Sequence, residues 1–333
     1  MRWRFLEGDP RSELSYSRSI SVLKAYPRVV RSSKEVVDLP GLGPKLFKMI
    51  DEFLKDGEIK EARRAINSPR FGVLSQFSSI YGIGPSTARR LYDQGYRTFE
   101  DLERYYDEWE GQNGKPSGTR EALLLRDDLA QKISRTEVEE MVEAICKHLD
   151  SIQEGFQHTV CGGYRRGKEY SNDVDIVFSR PGIDPKQDRG MCQALVTRLQ
   201  EAGLVTHVML LSSFTSHHSP FSSRSSTSSQ GIDTLDTALT VFKFHGEGRV
   251  HRRLDLIFAP WNVYWTAVVG WTGSTQFERD LRIWAKQERG MKFDSSGITR
   301  VHNSEQVFVH SEEEVFQVLG LPWIDPTMRN ANA

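Results

Sequence analysis

Three acidic residues in the second half of the chain have types and spacing suited to metal-dependent chemistry. Asp173 and Asp175 alternate with Val174 and Ile176, so a strand would direct both acids to one face and the apolar residues to the other. Two neighbouring carboxylates favour a divalent cation that prefers oxygen ligands, such as Mg²⁺. Asp255 interrupts another apolar strand and could complete a two-metal site. Taken alone, Asp-x-Asp could also be a solvated edge or a calcium loop.

The residues before this pair favour phosphate binding. Gly162 and Gly163 allow backbone N–H groups to approach a phosphate, and Arg166 supplies charge-assisted hydrogen-bond donors. Next to three acids, these groups argue against a solvated edge or a calcium loop. The combination predicts nucleotidyl transfer, with the three acids as catalytic residues and metal ligands.

A short repeat lies in the first third of the chain. Residues 39–45 and 80–86 share an apolar-x-Gly-apolar-Gly core, and each copy is followed by a helical run. Glycine permits the positive φ of a tight turn, and the free N–H groups of the next helix can cradle a backbone phosphate. A plain helix–helix turn would explain one copy equally well. Two copies favour phosphate contacts at two places on a nucleic-acid strand.

Composition limits the classes of protein that are compatible with the chain. Its 333 residues suffice for about two or three globular units. With 44 Lys and Arg against 45 Asp and Glu, nucleic-acid binding has to come from local patches. The early polar residues and the lack of a long apolar stretch argue against a signal peptide or a membrane helix. The spacing of Cys146, Cys161 and Cys192 favours a reducing compartment over disulfides or zinc.

Hydrophobic spacing divides the chain into a helical first part and a mixed second part. Apolar residues recur at helical spacing over residues 16–64 and 71–132, and the last of these predicted helices runs from Arg120 to Ile133. From Thr159 onward, alternation predicts a mixed sheet with helices between its strands. Residues 212–230 are rich in Ser and Thr and too poor in apolar residues to fold, which predicts a flexible loop.

These motifs together resemble the family X DNA polymerases, which include DNA polymerases beta, lambda and mu and terminal deoxynucleotidyl transferase. The resemblance covers nearly the whole chain, from Tyr16 to the ending Leu319-Gly320-Leu321-Pro322-Trp323. It implies an α+β polymerase hand with two small helical domains that carry helix-hairpin-helix motifs, a mixed-sheet nucleotidyltransferase palm and a small α/β C-terminal subdomain. The expected parts are a truncated DNA-end-binding domain (1–68), a helical DNA-binding subdomain (69–134), a palm with a Ser-rich loop at 212–237 (135–262), and a nucleotide-selecting subdomain (263–333).

The reaction that the resemblance implies is in-line attack of a primer 3′-oxygen on the α-phosphorus of a nucleotide, with pyrophosphate leaving. Asp173 and Asp175 would bind two Mg²⁺ ions, for which Mn²⁺ is an alternative, and Asp255 would bind the catalytic one. The implied nucleotide-binding residues are Gly162, Gly163, Arg166, Ser171, Asn172, Gly270, Trp271, Gly273, Ser274 and Glu278. The implied DNA-binding residues are Tyr16, Gly41, Gly43, Lys45, Gly82, Gly84, Ser86, Arg253, Arg279 and Arg282.

Gly270-Trp271 indicates the branch of the family. DNA polymerases beta and lambda carry Tyr-Phe at this place, whereas mu and terminal transferase carry Gly-Trp. Gly270 has no side chain to crowd the sugar 2′ position, so we expect weak discrimination against ribonucleotides. The Ser-rich loop matches by position a loop that helps to hold or replace the template in that branch. Asn172 stands where that branch has His, which argues against strong template-independent synthesis, and Glu278 replaces the common Asn or Gln, which leaves a contact with the base open.

The first glycine hairpin bears on lyase chemistry. In the beta and lambda enzymes a lysine in the following helix forms a Schiff base with an abasic sugar, and the matching residue here is Met49. Lys45 and Tyr16 match residues that bind a 5′-phosphate. We therefore predict DNA-end binding without lyase activity, with Lys48 as a nearby amine that could substitute.

The resulting prediction is a monomeric, nuclear, template-directed polymerase that acts on gapped or broken DNA and uses deoxynucleotides and also ribonucleotides. End-joining factors would bind through a module upstream of the short segment 1–13, and no membrane partner is expected. The alternatives are a base-excision gap-filling polymerase, a nucleotidyltransferase with a non-DNA acceptor, and an inactive DNA-end scaffold. The paired hairpins argue against a non-DNA acceptor, and the three acids argue against a scaffold.

Overall fold

The computed structural model describes residues 1–113, 118–182, 190–212 and 235–331, which form two compact units, Met1–Arg126 and Asp127–Asn330. Helices make up the first unit, and the second combines helices with sheets, which confirms the predicted α+β class. None of the helices in the described ranges is long and apolar enough to span a bilayer. The predicted division into four parts stays a prediction.

The first unit consists of short helices whose ends are set by proline, glycine and polar caps. Asp9, for example, accepts a hydrogen bond from the N–H of Ser12 at the start of the second helix, where Pro10 is the first residue. The helices are α1 (Arg2–Leu6), α2 (Pro10–Ala25), α3 (Pro44–Asp56), α4 (Lys60–Ile66), α5 (Pro69–Phe77), α6 (Pro85–Asp93), α7 (Phe99–Asn113) and α8 (Gly118–Leu124).

The prediction of a single helix from Arg120 to Ile133 is wrong. Helix α8 ends at Leu124, a one-turn helix α9 follows (Arg126–Leu129), and Ile133 starts a two-residue strand, β1 (Ile133–Ser134). The Arg126 guanidinium donates to the carbonyl of Leu123, which helps to end α8. Ile133 is buried and pairs with Ser171, so tertiary burial overrides the helical spacing.

The second unit is built on a five-stranded mixed sheet. Its strands are β2 (Gln157–Val160), β4 (Asp173–Ser179), β5 (Val205–Ser212), β6 (Asp236–Phe242) and β7 (Arg252–Phe258). Their order in the sheet is β2-β4-β7-β6-β5, in which β4 and β7 are parallel and the other neighbours antiparallel. A further short strand, β3 (Tyr170–Ser171), pairs with β1 outside this sheet. The helices associated with them are α10 (Arg135–Ile152), α11 (Gly162–Arg165), α12 (Met191–Glu201) and α13 (Tyr264–Thr272).

Successive side chains of β4 lie on opposite faces of the sheet, as predicted. Val174, Ile176 and Phe178 belong to the main core, which α10 and α12 cover. Val177, on the opposite face, packs in a second core against α13. Asp173 and Asp175 share the face of Val177 because side chains two residues apart on a strand point the same way.

The C-terminal part has its own small core. It contains α14 (Thr275–Arg289), α15 (Glu312–Val318) and an antiparallel sheet of order β10-β9-β8, with β8 (Met291–Asp294), β9 (Gly297–Arg300) and β10 (Gln306–Val307). The predicted Ser-rich loop joins β5 to β6, and residues 213–234 lie outside the described residues.

Candidate active site

Parallel pairing of β4 with β7 brings the three predicted acids together. Asp175 lies opposite Asp255, and Asp173 lies opposite Arg253. Each acid offers one carboxylate oxygen within 4.8 Å of the others. Asp255 therefore joins the Asp173–Asp175 pair through sheet pairing, although it is far from both in sequence.

The electrostatics of this acid cluster disfavour full ionisation without a cation. Burial, together with the charge of Asp173, raises the pKa of Asp255 to about 6, even though Arg253 opposes this change. Burial, Asp173 and Asp255 likewise raise the pKa of Asp175 well above its ordinary value. Like charges in a low-dielectric environment repel strongly, so added positive charge stabilises the cluster.

Arg253 supplies part of that positive charge. Its Nη2 atom lies 2.7 Å from Oδ2 of Asp173 and 2.8 Å from Oδ2 of Asp255. Burial alone would lower the pKa of Arg253, but Asp255 and Asp173 outweigh burial and raise it. The sequence suggested Arg253 as a DNA contact. In the structure its guanidinium binds the acids, and the DNA contact stays a prediction.

The acid cluster fits a divalent metal ion. Asp255 is 4% exposed, and its Oδ1 atom is buried without a hydrogen-bond partner among the described residues. All the offered ligands are carboxylate oxygens, the donors that hard cations prefer. Asp173, Asp175 and Asp255 are thus the residues that would hold such an ion.

Gly162 and Gly163 lie beside the acids in the turn that begins α11. Gly162 has φ +56°, and a Cβ atom on it would lie 1.9 Å from Oδ2 of Asp175, so only glycine fits. A Cβ atom on Gly163 would lie 3.2 Å from Cδ of Lys168, 3.8 Å from Oγ of Ser171 and 4.0 Å from Nη2 of Arg166. We call this space the Gly163 cradle; besides the aliphatic stem of Lys168, its lining includes the Ser171 hydroxyl and the Arg166 guanidinium, which are hydrogen-bond donors suited to phosphate.

Arg166 is oriented by the end of α13. Its Nη1 atom donates to the Thr272 carbonyl at 2.7 Å, and Nη1 of Arg165 donates to Oγ1 of Thr272 at 3.0 Å. Burial lowers the pKa of Arg166, whereas Asp175 and Asp173 act to raise it. The predicted phosphate arginine therefore lies within electrostatic reach of the acid cluster.

Sequence reasoning missed Lys132 as a member of this site. The antiparallel pair β1–β3 places it across from Asn172, and Nζ of Lys132 donates to Oδ1 of Asn172. A two-residue strand has too little periodicity for its pairing to be read from the sequence. Lys132 thus adds a cation next to a predicted nucleotide-binding residue.

The segment from Gly270 to Ser274 ends α13 and precedes α14. A Cβ atom on Gly270 would lie 2.6 Å from Oγ of Ser295, and one on Gly273 would lie 2.0 Å from Oε1 of Glu278. Close packing thus explains both glycines. Trp271 contacts the second core. The N–H of Ser274 donates to the carbonyl of Arg329 at 3.0 Å.

The predicted DNA-binding arginines of α14 lie on its surface. Arg279 and Arg282 are exposed, whereas Glu278 is buried at 4% exposure. Glu278 therefore packs into the protein next to Gly273, and its contact with an incoming base stays a prediction.

The two glycine hairpins of the first unit share one local geometry. Gly41 and Gly82 have φ values of +78° and +84°. Gly43 and Gly84 are the N-cap residues of α3 and α6, each of which starts with proline. The two copies of the repeat therefore share a backbone geometry as well as a sequence pattern. The phosphate contacts of both hairpins stay predictions.

The hairpins differ in what surrounds the first glycine. A Cβ atom on Gly82 would lie 2.1 Å from Oγ1 of Thr119, so α8 packs against this hairpin. A Cβ atom on Gly41 would meet none of the described atoms within 4 Å. Ser86 is exposed on the first turn of α6. The first hairpin is thus the more open of the two.

A cavity of about 570 Å³ borders the first hairpin. Its lining includes Tyr16, Gly41, Gly43, Lys45 and Arg4. Nζ of Lys45 lies 5.7 Å from the centre of the Tyr16 ring. Hydrogen bonding with Tyr16 raises the pKa of Lys45, as does Glu61, whose Oε2 lies 2.9 Å from Nζ of Lys45. The four residues predicted to bind DNA here share one basic cavity.

A mixed sheet that gathers three carboxylates beside a glycine turn with an adjacent arginine defines the nucleotidyltransferase class of palm domain. Four family models match successive parts of the chain. They are a helix-hairpin-helix domain (residues 2–59), the fingers domain of DNA polymerase lambda (75–112), the DNA polymerase beta palm (132–261) and the DNA polymerase beta thumb (267–330). The chain belongs to family X of the DNA polymerases, which confirms the resemblance inferred from its motifs.

Individual relatives agree with this assignment. The chain is 29% identical over 355 residues to a DNA nucleotidylexotransferase of Monodelphis domestica, which covers 99% of this chain and 65% of that protein. It is 28% identical over 335 residues to a DNA polymerase lambda of Arabidopsis thaliana, with coverages of 97% and 59%. It is 29% identical over 339 residues to the human DNA-directed DNA/RNA polymerase mu, with coverages of 98% and 66%. The chain thus spans less than two thirds of the length of these relatives.

Proposed function

We propose that this protein is a template-directed DNA polymerase that fills short gaps and extends broken DNA ends during non-homologous end joining. The observation that carries the proposal is the convergence of Asp173, Asp175 and Asp255 beside the Gly163 cradle. Carboxylates held next to phosphate donors suit transfer of a nucleotide to a hydroxyl group. A nuclear location follows from the same role.

Each part of the site has a task in this reaction. The three acids would hold divalent cations, which we take to be Mg²⁺ with Mn²⁺ as an alternative; when bound, the cations would offset the charge that develops on the reacting phosphate. Backbone N–H groups at Gly162 and Gly163, together with Ser171, suit the triphosphate oxygens. Arg166 provides positive charge toward the leaving pyrophosphate.

Lys132 extends the cationic side of the site. Its ammonium group contacts Asn172, which the family resemblance places at the triphosphate. We assign Lys132 to electrostatic stabilisation of the incoming nucleotide. The exposed arginines of α14, Arg279 and Arg282, are assigned to template contacts.

The sugar preference and the lyase question belong to the proposal as well. Gly270 supports acceptance of ribonucleotides, because glycine presents no side chain toward a 2′-hydroxyl. Met49 supports the absence of Schiff-base chemistry, because a thioether cannot form an imine. Borohydride trapping of an abasic-site adduct would contradict the second assignment, and a Lys48→Ala variant would identify the amine.

The deciding experiment is extension of a primer at a one-nucleotide gap and at partly complementary ends, with deoxy- and ribonucleotides in Mg²⁺ and in Mn²⁺. We expect the wild-type protein to extend the primer and Asp175→Ala to lose almost all activity. Asp150→Ala, an exposed acid on α10, is the matched control and should retain activity. Equal extension by Asp175→Ala and wild type would reject the polymerase assignment.

A further inference from the structure

The C-terminal tail, Pro326–Asn330, contacts the arginine assigned to the triphosphate. Nε of Arg166 donates to Oδ1 of Asn330 at 2.9 Å, and Nδ2 of Asn330 donates to the backbone carbonyl of Arg166 at 3.3 Å. Nη1 of Arg166 donates to the carbonyl of Thr272 at 2.7 Å. Two neighbouring nitrogens of the guanidinium are thus held by groups outside α11. The third, Nη2, lies on the side of the Gly163 cradle.

The tail is anchored firmly enough to act as a support. Arg329 is fully buried, and its Nη1 atom donates to Oε1 of Glu312 at 2.7 Å. Its Nε and Nη2 atoms donate to the carbonyl of Ile324 at 2.8 and 2.6 Å, and its own carbonyl accepts from Ser274. Buried charge-assisted hydrogen bonds of this kind specify a single conformation.

The same glutamate ties the tail to the phosphate turn. Both oxygens of Glu312 accept from Arg165, at 2.6 and 3.0 Å, in a bidentate pair. Arg165 directly precedes Arg166, so Glu312 connects the residue before Asn330 with the residue before Arg166. The position of Asn330 relative to Arg166 is therefore determined by a buried ion network.

We propose that Asn330 is a positioning residue that holds the Arg166 guanidinium with Nη2 toward the Gly163 cradle and thereby sets the affinity for the nucleotide triphosphate. This inference rests on the proposed polymerase function. An unrestrained arginine loses side-chain entropy when it is ordered on a ligand, and a pre-oriented one loses less. Asn330 itself is exposed, so it contributes little to folding.

The test uses Asn330→Leu, which keeps the γ-branched shape of the side chain and removes both polar contacts with Arg166, together with the hydrogen bond from Nδ2 to the Thr327 carbonyl. We expect the KM for a deoxynucleotide to rise about three- to tenfold, the size of a lost charge-assisted hydrogen bond. We expect kcat, the Kd for gapped DNA and the Tm to stay close to wild type. Asn303→Leu, in an exposed turn of the same unit, is the matched control and should leave the KM unchanged.

A double-mutant cycle separates positioning from a general structural role. In an Arg166→Ala background, Asn330→Leu should have almost no further effect on the KM, because the group it positions is gone. A full additional effect in that background, or an unchanged KM in the single variant, would overturn the inference. Both results require an active wild-type protein, so a wild type that extends no primer would instead reject the polymerase function.

Discussion

Gly270 and Ser295 are packed so closely that no side chain fits between them. A Cβ atom on Gly270 would lie 2.6 Å from Oγ of Ser295 and 3.2 Å from its Cα, and Ser295 is only 2% exposed. The backbone of Gly270 is helical and its φ is not positive, so space and not backbone conformation requires glycine. The glycine that we propose allows ribonucleotide use thus also has a packing role.

We predict that Gly270→Ala lowers the free energy of unfolding by about 1–3 kcal/mol, because overpacking forces Ser295 to move. Thermal unfolding measures this change. Ser295→Gly removes the side chain that a Cβ atom at position 270 would meet first. The variant that combines Gly270→Ala with Ser295→Gly should therefore be more stable than the sum of the two single effects predicts. Strict additivity would show that Ser295 is not the obstacle.

The double variant also tests sugar selection. If the methyl group in the folded double variant reaches the 2′ position, the ratio of kcat/KM for deoxy- over ribonucleotide should rise above that of wild type. Ser295→Gly alone serves as the control. An unchanged ratio would mean that Gly270 has a packing role only.

Asp255→Asn should stabilise the protein in the absence of divalent metal. The pKa of Asp255 is raised from 3.8 to about 6, so the folded state binds more protons than the unfolded state between these values, and stability falls as pH rises through them. Since a tenfold change in proton affinity corresponds to about 1.4 kcal/mol, the gain near neutral pH is on the order of 3 kcal/mol. It should disappear below about pH 4. Urea unfolding in EDTA across this pH range is the measurement.

Added Mg²⁺ should narrow or reverse the difference in stability between Asp255→Asn and wild type. A ligand that binds only the folded state raises its stability, and wild type keeps all three acids that would bind the ion. Asp150→Asn should behave like wild type throughout. A metal-dependent gain of equal size in Asp255→Asn and wild type would mean that Asp255 is not a ligand.

Glu61→Gln should strengthen binding to a 5′-phosphate. Glu61 contacts both Lys45 and Arg4 beside the cavity of the first hairpin, at 2.9 and 3.1 Å, so a phosphate has to compete with it. These pairs are partly exposed and therefore weak, so the expected gain in affinity is about two- to fivefold. Fluorescence anisotropy with 5′-phosphorylated and 5′-hydroxyl gapped DNA compares the two ends.

The control for this experiment is Glu58→Gln, because Glu58 pairs with Arg63 instead of with the cavity cations. It should leave the preference for the phosphorylated end unchanged. Equal gains on both DNA ends would indicate a general charge effect and contradict competition at Lys45.

Lys132→Met should weaken nucleotide binding without weakening DNA binding. The change removes the charge beside Asn172 and keeps most of the side-chain volume, so the KM for a deoxynucleotide should rise about three- to tenfold. Lys147→Met is the matched control, since Lys147 pairs with Glu143 on the exposed face of α10. Steady-state kinetics at a one-nucleotide gap, with the Kd for DNA measured separately, gives the answer. A parallel loss of DNA affinity would place Lys132 at the DNA instead.

Much of this site is predictable from local sequence patterns. Alternation of period two places Asp173 and Asp175 on the face opposite Val174 and Ile176, and the repeated glycines of the hairpins specify turns that precede helices. Both rules act within a few residues, so they need no knowledge of the rest of the chain. The family resemblance also depends on such short motifs.

Tertiary structure decides which distant groups meet. Strand pairing brings Asp255 to Asp175, and it also places Arg253 on the acids. Lys132 and Asn330 reach the predicted nucleotide-binding residues Asn172 and Arg166 through a two-residue strand and a buried ion network, for which the sequence has no periodic signal. The physical reason is that periodicity reports the direction of a side chain from its own backbone, whereas its neighbours depend on how elements far apart in sequence pack to bury their apolar faces.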